Sequence, residues 1–309
     1  MFLLCIFHLY FLIYFLYIYL LMENKQVVLG WWAFLVIISI FNIAFIIIYM
    51  LTHKLTAIQK PLFFFALIFS IVCGIRAIWP TKYVEKTCFL KSKIYTPFII
   101  RILATVAEIA YILLFVGIFL HIIKTIHKLT THKLDHLKPY IYGVIPLILL
   151  AEVFSWMGSI TEYQFWNISE EVMWFISSLI LIGLSLYILS KIKNSNAPKV
   201  KSIYYLLSVT VPIATMFAGF LALVDIPMYI RRFNKDTDVE LKDVRSFFRD
   251  FENKHKINFN KRIDDMKKCQ QVDNSLDTWK EEIPWLTGYF TIGVWSSFAL
   301  AIWHKYHTS

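Results

Sequence analysis

The chain lacks most of the short motifs that identify soluble enzymes. Glycine and proline are scarce, nine of each in 309 residues, and no glycine-rich phosphate-binding loop is present, so a nucleotide-cradling turn is excluded. No G-x-S-x-G string occurs, and with it goes the exposed serine of a hydrolase elbow. Cysteine numbers four and never forms a C-x-x-C pair, which removes the dithiol signature. No internal repeat is visible, so the repeated halves of many secondary transporters are not expected. Alternation of polar and apolar residues is also missing, and membrane β-barrel strands need it.

What is there instead is apolar sequence in long uncharged blocks. Apolar residues make up 58% of the chain and aromatic residues 17%. The blocks lie near 27–51, 61–80, 97–123, 140–160, 170–190, 203–229 and 284–303. A run of about eighteen or more apolar residues crosses the ~30 Å hydrocarbon core as a helix, and in lipid only helices and closed barrels satisfy their own backbone. The expected fold is all-α: a polytopic transmembrane bundle over 22–309, with seven spans and a long polar, partly helical loop at 230–283. The hydrophobic segment 1–21 precedes it. It has eight aromatic residues, no leading Lys or Arg and no small-x-small cleavage site before Glu23, so it makes a poor signal peptide. It reads either as an eighth span or as sequence upstream of a start at Met22.

Lysine sets the orientation. Loops 52–60, 124–139 and 191–202, with the tail, carry eleven Lys and no Arg, against five Lys on segments 22–26, 81–96 and 161–169. The positive-inside tendency then places the C-terminus in the cytosol and loop 230–283 on the outer side. The net charge of +10 belongs to these lysines beside anionic headgroups. The lipid bilayer is the expected partner, and nothing suggests a nucleic-acid groove. Asn167-Ile168-Ser169 is an outer-side glycosylation sequon set very close to both membrane ends. Cys88 and Cys269 also fall on the outer side, where they form a disulfide or remain two thiols.

Absences inside the spans narrow the chemistry further. No histidine lies at mid-span, against di-iron and metallohydrolase sites, and Asp225 is the only span Asp, against a two-Asp protease. The seventh span has no Lys for a retinal Schiff base. The histidines of the inner loop, His127, His132 and His136, with His121 just before it, lie among lysines and read as a solvated basic loop. No cofactor or metal is implied.

The informative residues are the charges the spans do contain. Each costs about 2.5–3.5 kcal/mol at mid-membrane, so such groups face the bundle interior and have partners. They are Arg76, Arg101, Glu108, Glu152, Glu170, Glu171 and Asp225. With spans alternating in direction, all fall in the outer half of the membrane. Arg101, Thr105 and Glu108 share one helix face, as do Glu171, Trp174 and Ser178. A polar cluster under the outer mouth is expected, with five acids against two bases. Pro212 is expected to kink the sixth span. Thr237 and Glu240 begin an amphipathic pattern continued by Leu241, Val244, Phe248 and Phe251. Trp279, Glu282 and Trp285 share a face suited to the interface.

Several strings occur together in order: Cys73-Gly74-Ile75-Arg76 with Pro80, Ala104-Thr105-Val106-Ala107-Glu108, Glu170-Glu171 with Trp174, Val224-Asp225-Ile226-Pro227-Met228-Tyr229, then Trp279, Glu282, Trp285, Tyr289-Phe290 and Val294-Trp295. In that order they resemble a family of uncharacterised multi-pass membrane proteins of bacteria and unicellular eukaryotes. The resemblance runs from about Trp31 to Ala301 and places the segment before Met22 outside the shared region. It implies no activity. Lys82 stands where that family has an arginine soon after Pro80, which argues against a role needing a planar guanidinium there.

The functional expectation is a membrane protein whose acidic cluster handles a small polar or cationic solute, as a transporter would. The alternative is a non-enzymatic scaffold or receptor whose buried charges are purely structural. An intramembrane enzyme using Glu108 or Glu152 as acid–base ranks below both, because no nucleophile or metal set accompanies them.

Overall fold

Each apolar block folds as a helix that runs past its apolar residues, because a backbone amide in lipid has only its own helix to bond to. The computed structural model describes residues 24–237 and 259–303. Among these, seven helices are long and apolar enough to cross a membrane. They are α1 (Asn24–Thr52), α2 (Gln59–Ile78), α3 (Pro97–Leu129), α4 (Lys138–Thr161), α5 (Gln164–Ile192), α6 (Pro198–Phe220) and the terminal pair α10 (Glu282–Gly288) and α11 (Val294–Trp303). A turn of π-helix, Leu221–Asp225, continues α6 into α7 (Ile226–Thr237), and a second, Tyr289–Gly293, joins α10 to α11. Short elements complete the chain: α8 (Phe259–Met266), α9 (Leu276–Trp279) and strands β1 (Thr81–Lys82), β2 (Thr87–Cys88) and β3 (Gln271–Val272). This is an all-α multi-pass bundle.

Local sequence sets the helix starts. Thr56 and Gln59 cap each other at α2, with Thr56 N donating to Gln59 Oε1 at 3.0 Å and Gln59 N to Thr56 Oγ1 at 3.3 Å. Thr96 accepts from Ile99 N at 3.5 Å ahead of Pro97, whose missing N–H costs nothing at a helix start. Helices α1 to α6 pack in chain order, and α11 returns to lie against α2, α1 and α3. Helix α3 is thereby central, also touching α4 and α6.

One face of the bundle is covered. There β1 pairs antiparallel with β2, and β2 pairs parallel with β3, and a disulfide joins Cys88 to Cys269 with a Cα–Cα distance of 5.7 Å. Lys86, fully buried, reaches Glu162 at the α4–α5 turn, and Arg262 Nη1 meets the other oxygen of Glu162 at 2.5 Å. Lys86 and Glu162 both take left-handed backbone angles, φ 51° and 60°, a conformation that non-glycine residues hold only when their surroundings fix it. The segments after α2, after α4 and after α7 therefore meet in one cap.

One expectation changes here. Trp279 is not at a lipid interface: it is fully buried against Trp31 and Phe89, and its indole N–H donates to Asp273 O at 2.8 Å. Helix α6 is helical on both sides of Pro212, and a turn of π-helix lies beyond it at Leu221–Asp225. Asn167 is buried and donates to Gln164 Oε1 at 3.0 Å, packed so closely on Gly158 that the sequon is closed to modification. The hydrophobic segment 1–21 and the amphipathic pattern from Glu240 to Phe251 lie outside the described residues.

Candidate functional site

The cap-side half of the bundle gathers the charges. Arg76 sits in the last turn of α2, and Arg101, Thr105 and Glu108 occupy one face of the first turns of α3. Glu152 faces them from α4. Arg101 Nη2 bonds Glu152 Oε2 at 2.6 Å, the same oxygen accepts from Thr105 Oγ1 at 2.6 Å, and Trp156 Nε1 donates to Thr105 Oγ1 at 3.1 Å. This is a fully directed set of bonds and fixes α3 against α4. Glu108 is held differently. It lies 3.9 Å from Arg76 and 3.8 Å from Arg101, close enough to neutralise charge but too far for a hydrogen bond.

Polar atoms at this centre are therefore left over. Arg76 Nη1 and Arg101 Nε are buried without a hydrogen-bond partner among the described residues, whereas the Glu108 and Glu152 carboxyls lie within hydrogen-bonding reach of each other. Buried polar groups are normally paired, so these two guanidinium nitrogens are exceptions at this centre. The guanidinium groups are walled by rings: Tyr83 lies 5.8 Å from Arg76 and 5.4 Å from Arg101, with Tyr289 and Phe290 5.0 and 5.5 Å from Arg76. Burial pushes the Tyr83 phenol above its ordinary pKa, against the opposing pull of Arg76 and Arg101.

A second acidic group adjoins the first on the α5–α7 side. Glu171 has Glu170, Asp225, Glu108 and Arg101 as charged neighbours, and Asp225 has Glu282, Glu170 and Arg232. Glu171 and Asp225 are buried and make no ion pair within 4 Å among the described residues. Glu170, half-buried, is hydrogen-bonded to Ser155 of α4. Arg232 is engaged at the rim by Glu281 and lies 3.9 Å from Glu282. The Arg232 bond holds the Glu281 carboxyl below the usual carboxylate range.

Of the residues singled out in the sequence, Arg76, Arg101, Glu108 and Glu152 are joined by ion pairs, Glu170 and Glu171 are their charged neighbours, and Asp225 adjoins the group through Glu170 and Glu171. As members of this site, sequence reasoning missed Glu282, Tyr83, Arg232 and Tyr289. Glu282 opens the last span just before the apolar block, and its signals were its spacing from Trp285 and its place among the ordered strings. Tyr83 and Arg232 sit in polar connections, where nothing in a single sequence separates a buried residue from an exposed one. The inner-loop histidines pair locally, His127 with Asp135 at 3.1 Å and His136 edge-on to Tyr187. No three His, Cys, Asp or Glu side chains among the described residues converge as a chelating set.

Comparison of the chain with known protein families, with curated proteins and with solved structures found no match in any of the three.

Proposed function

We propose that this protein binds a small polar or cationic solute in the cap-side half of its bundle, as a transporter or solute receptor. The observation that carries this reading is an imbalance. Glu108, Glu152, Glu170 and Glu171 lie about Arg76 and Arg101, and Asp225 adjoins Glu170 and Glu171, while Arg232 is taken up by Glu281 at the rim and Lys82 and Arg232 face Glu282. Each uncompensated charge within a membrane is costly, so a surplus of carboxyls calls for a positive or proton-donating partner. Both π-turns lie at this level, one ending in Asp225 and the other beginning with Tyr289. Such turns are frequent at functional sites.

The test uses the full chain in liposomes with a panel of inorganic cations, organic cations and neutral polar solutes. Solute-dependent flux or saturable thermal stabilisation is expected, and Glu108→Gln, which keeps shape and deletes charge, removes it while the protein stays folded. The competing reading is a scaffold with purely structural charges, favoured by the directed Arg101–Glu152–Thr105–Trp156 set. A scaffold gives no response to any solute and a lowered melting temperature in Glu108→Gln.

A further inference from the structure

The ion pairs do not explain why Glu108 and Glu152 meet each other. Glu152 Oε2 accepts from Arg101 Nη2 and from Thr105 Oγ1, both at 2.6 Å. Glu108 receives no such bond, because Arg76 and Arg101 stand 3.9 and 3.8 Å from it. Its Oε2 and Glu152 Oε1 are buried, and no N–H or O–H of the described residues donates to either. Yet the two carboxyls lie within hydrogen-bonding reach of each other, on residues only 7% and 4% exposed. An ionised carboxyl only accepts. Two of them held together in a membrane interior would repel and leave these oxygens unsatisfied.

A single proton removes both costs. Taken up from solution by Glu108, it turns that carboxyl into a donor, and the contact becomes an O–H···O⁻ bond to Glu152. Such bonds are short and strong because the acceptor is charged. Glu152 is the better acceptor of the two: Arg101 and Thr105 already bond its negative form, whereas Glu108 has guanidinium charge nearby but no bond from it. The charge balance agrees. With one proton the pair carries one negative charge against Arg76 and Arg101, and Glu170 and Glu171 of α5 face the remaining positive charge. The other titratable groups turned toward Glu108 are the Cys73 thiol and the phenols of Tyr83 and Tyr289.

We infer that Glu108 and Glu152 together form a proton-binding site, holding one exchangeable proton between them. The inference does not depend on the solute-binding reading above and applies to the empty protein. Ionisable groups kept inside a membrane commonly serve as proton relays. Glu170 adjoins both carboxyls, is only half-buried and is bonded to Ser155 of α4, which gives the proton a next carboxyl on its way to solution.

The experiment is infrared spectroscopy of the full chain in nanodiscs, because a protonated carboxyl has a C=O stretch that an ionised one lacks and that shifts in D2O. Spectra are recorded through a pH titration in H2O and D2O for the unsubstituted protein, Glu108→Gln and Glu171→Gln. The unsubstituted protein is expected to show a protonated-carboxyl component that shifts in D2O and is lost reversibly as pH rises. Glu108→Gln should lack that component and keep its melting temperature, since the amide N–H donates to Glu152 as the protonated acid does. Glu171→Gln should retain it. If Glu108 is instead ionised and serves only as counter-charge to Arg76 and Arg101, Glu108→Gln leaves this region of the spectrum unchanged and melts lower. Either result overturns the inference, as does a Glu108→Gln variant that fails to fold. A component that survives Glu108→Gln and vanishes in Glu171→Gln assigns the proton to α5 and overturns it too. So does one that no pH alters while the protein stays folded, because the proton is then a fixed part of the structure.

Discussion

Arg101 is the residue on which most of the buried polar structure depends. It is 2% exposed and pairs with Glu152 at 2.6 Å and Glu108 at 3.8 Å. Removing one member of a buried pair strands the other, at about 3–5 kcal/mol. Arg101→Ala should therefore lower the unfolding temperature sharply, and adding Glu152→Gln should recover part of the loss; an additive double variant would deny the coupling. Asp273 offers a contrasting test outside the membrane. Its carboxyl accepts from Thr278, from Ser275 N at 2.8 Å and from Ser275 Oγ at 3.0 Å, and these bonds, Thr278 first, hold it below the usual carboxylate range. A depressed folded-state pKa adds stability that is complete above the ordinary Asp value of about 3.9 and is lost as pH falls through the folded value. Melting temperature should thus decline on acidification below that range, and Asp273→Asn should flatten the decline. The Arg101 pairing was legible in the sequence, because a charge in lipid demands a partner and alternating spans give its depth. Asp273 was not, since polar loops conceal which of their acids act as caps.

At the scale of elements, the cap and the helix contacts beneath it can be tested separately. The Cys88–Cys269 bond joins residues 181 positions apart, and a closure of that length restricts the unfolded chain strongly. Cys88→Ser should cost about 2–4 kcal/mol, read as a lower melting temperature that reductant no longer alters. An intact protein whose melting is indifferent to reductant would contradict a bonded cap. Deeper in, a Cβ at Gly158 would lie 2.3 Å from Asn167 Oδ1. Gly158→Ala should therefore separate α4 from α5 and destabilise, by about 1–3 kcal/mol for such overpacking, whereas Gly183→Ala, with open space around it, should not. The spans were readable because lipid imposes long uninterrupted helices. The π-turns were not: Pro212 drew attention as a helix-breaker in that span, yet the π-turn formed nine to thirteen residues later at Leu221–Asp225, between Gly219 and Pro227. The cap was half readable. Two cysteines fell on one side, but strands of two residues carry no periodicity to detect.

For the whole molecule, topology comes first. The segments following α2, α4 and α7 meet in the cap, so a cysteine placed at Lys268 and one at Lys128 should be labelled from opposite sides of the membrane, with Lys128 facing the cytosol by the lysine asymmetry of the short loops. Labelling of both from one side would contradict the seven-span bundle. Within it, the account rests on the claim that the surplus carboxyls serve a ligand and not the fold. Residues that serve the fold stabilise the empty protein, whereas residues kept for binding commonly cost it stability. Glu171 and Asp225 distinguish the two, being buried neighbours of like charge with no ion pair within 4 Å among the described residues. The most direct measurement is the melting temperature of Glu171→Gln and Asp225→Asn, each without solute and with saturating solute. The account predicts that both variants melt at or above the unsubstituted protein when empty and lose the stabilisation that solute confers. Variants that melt well below it when empty, and still respond to solute, would contradict the account.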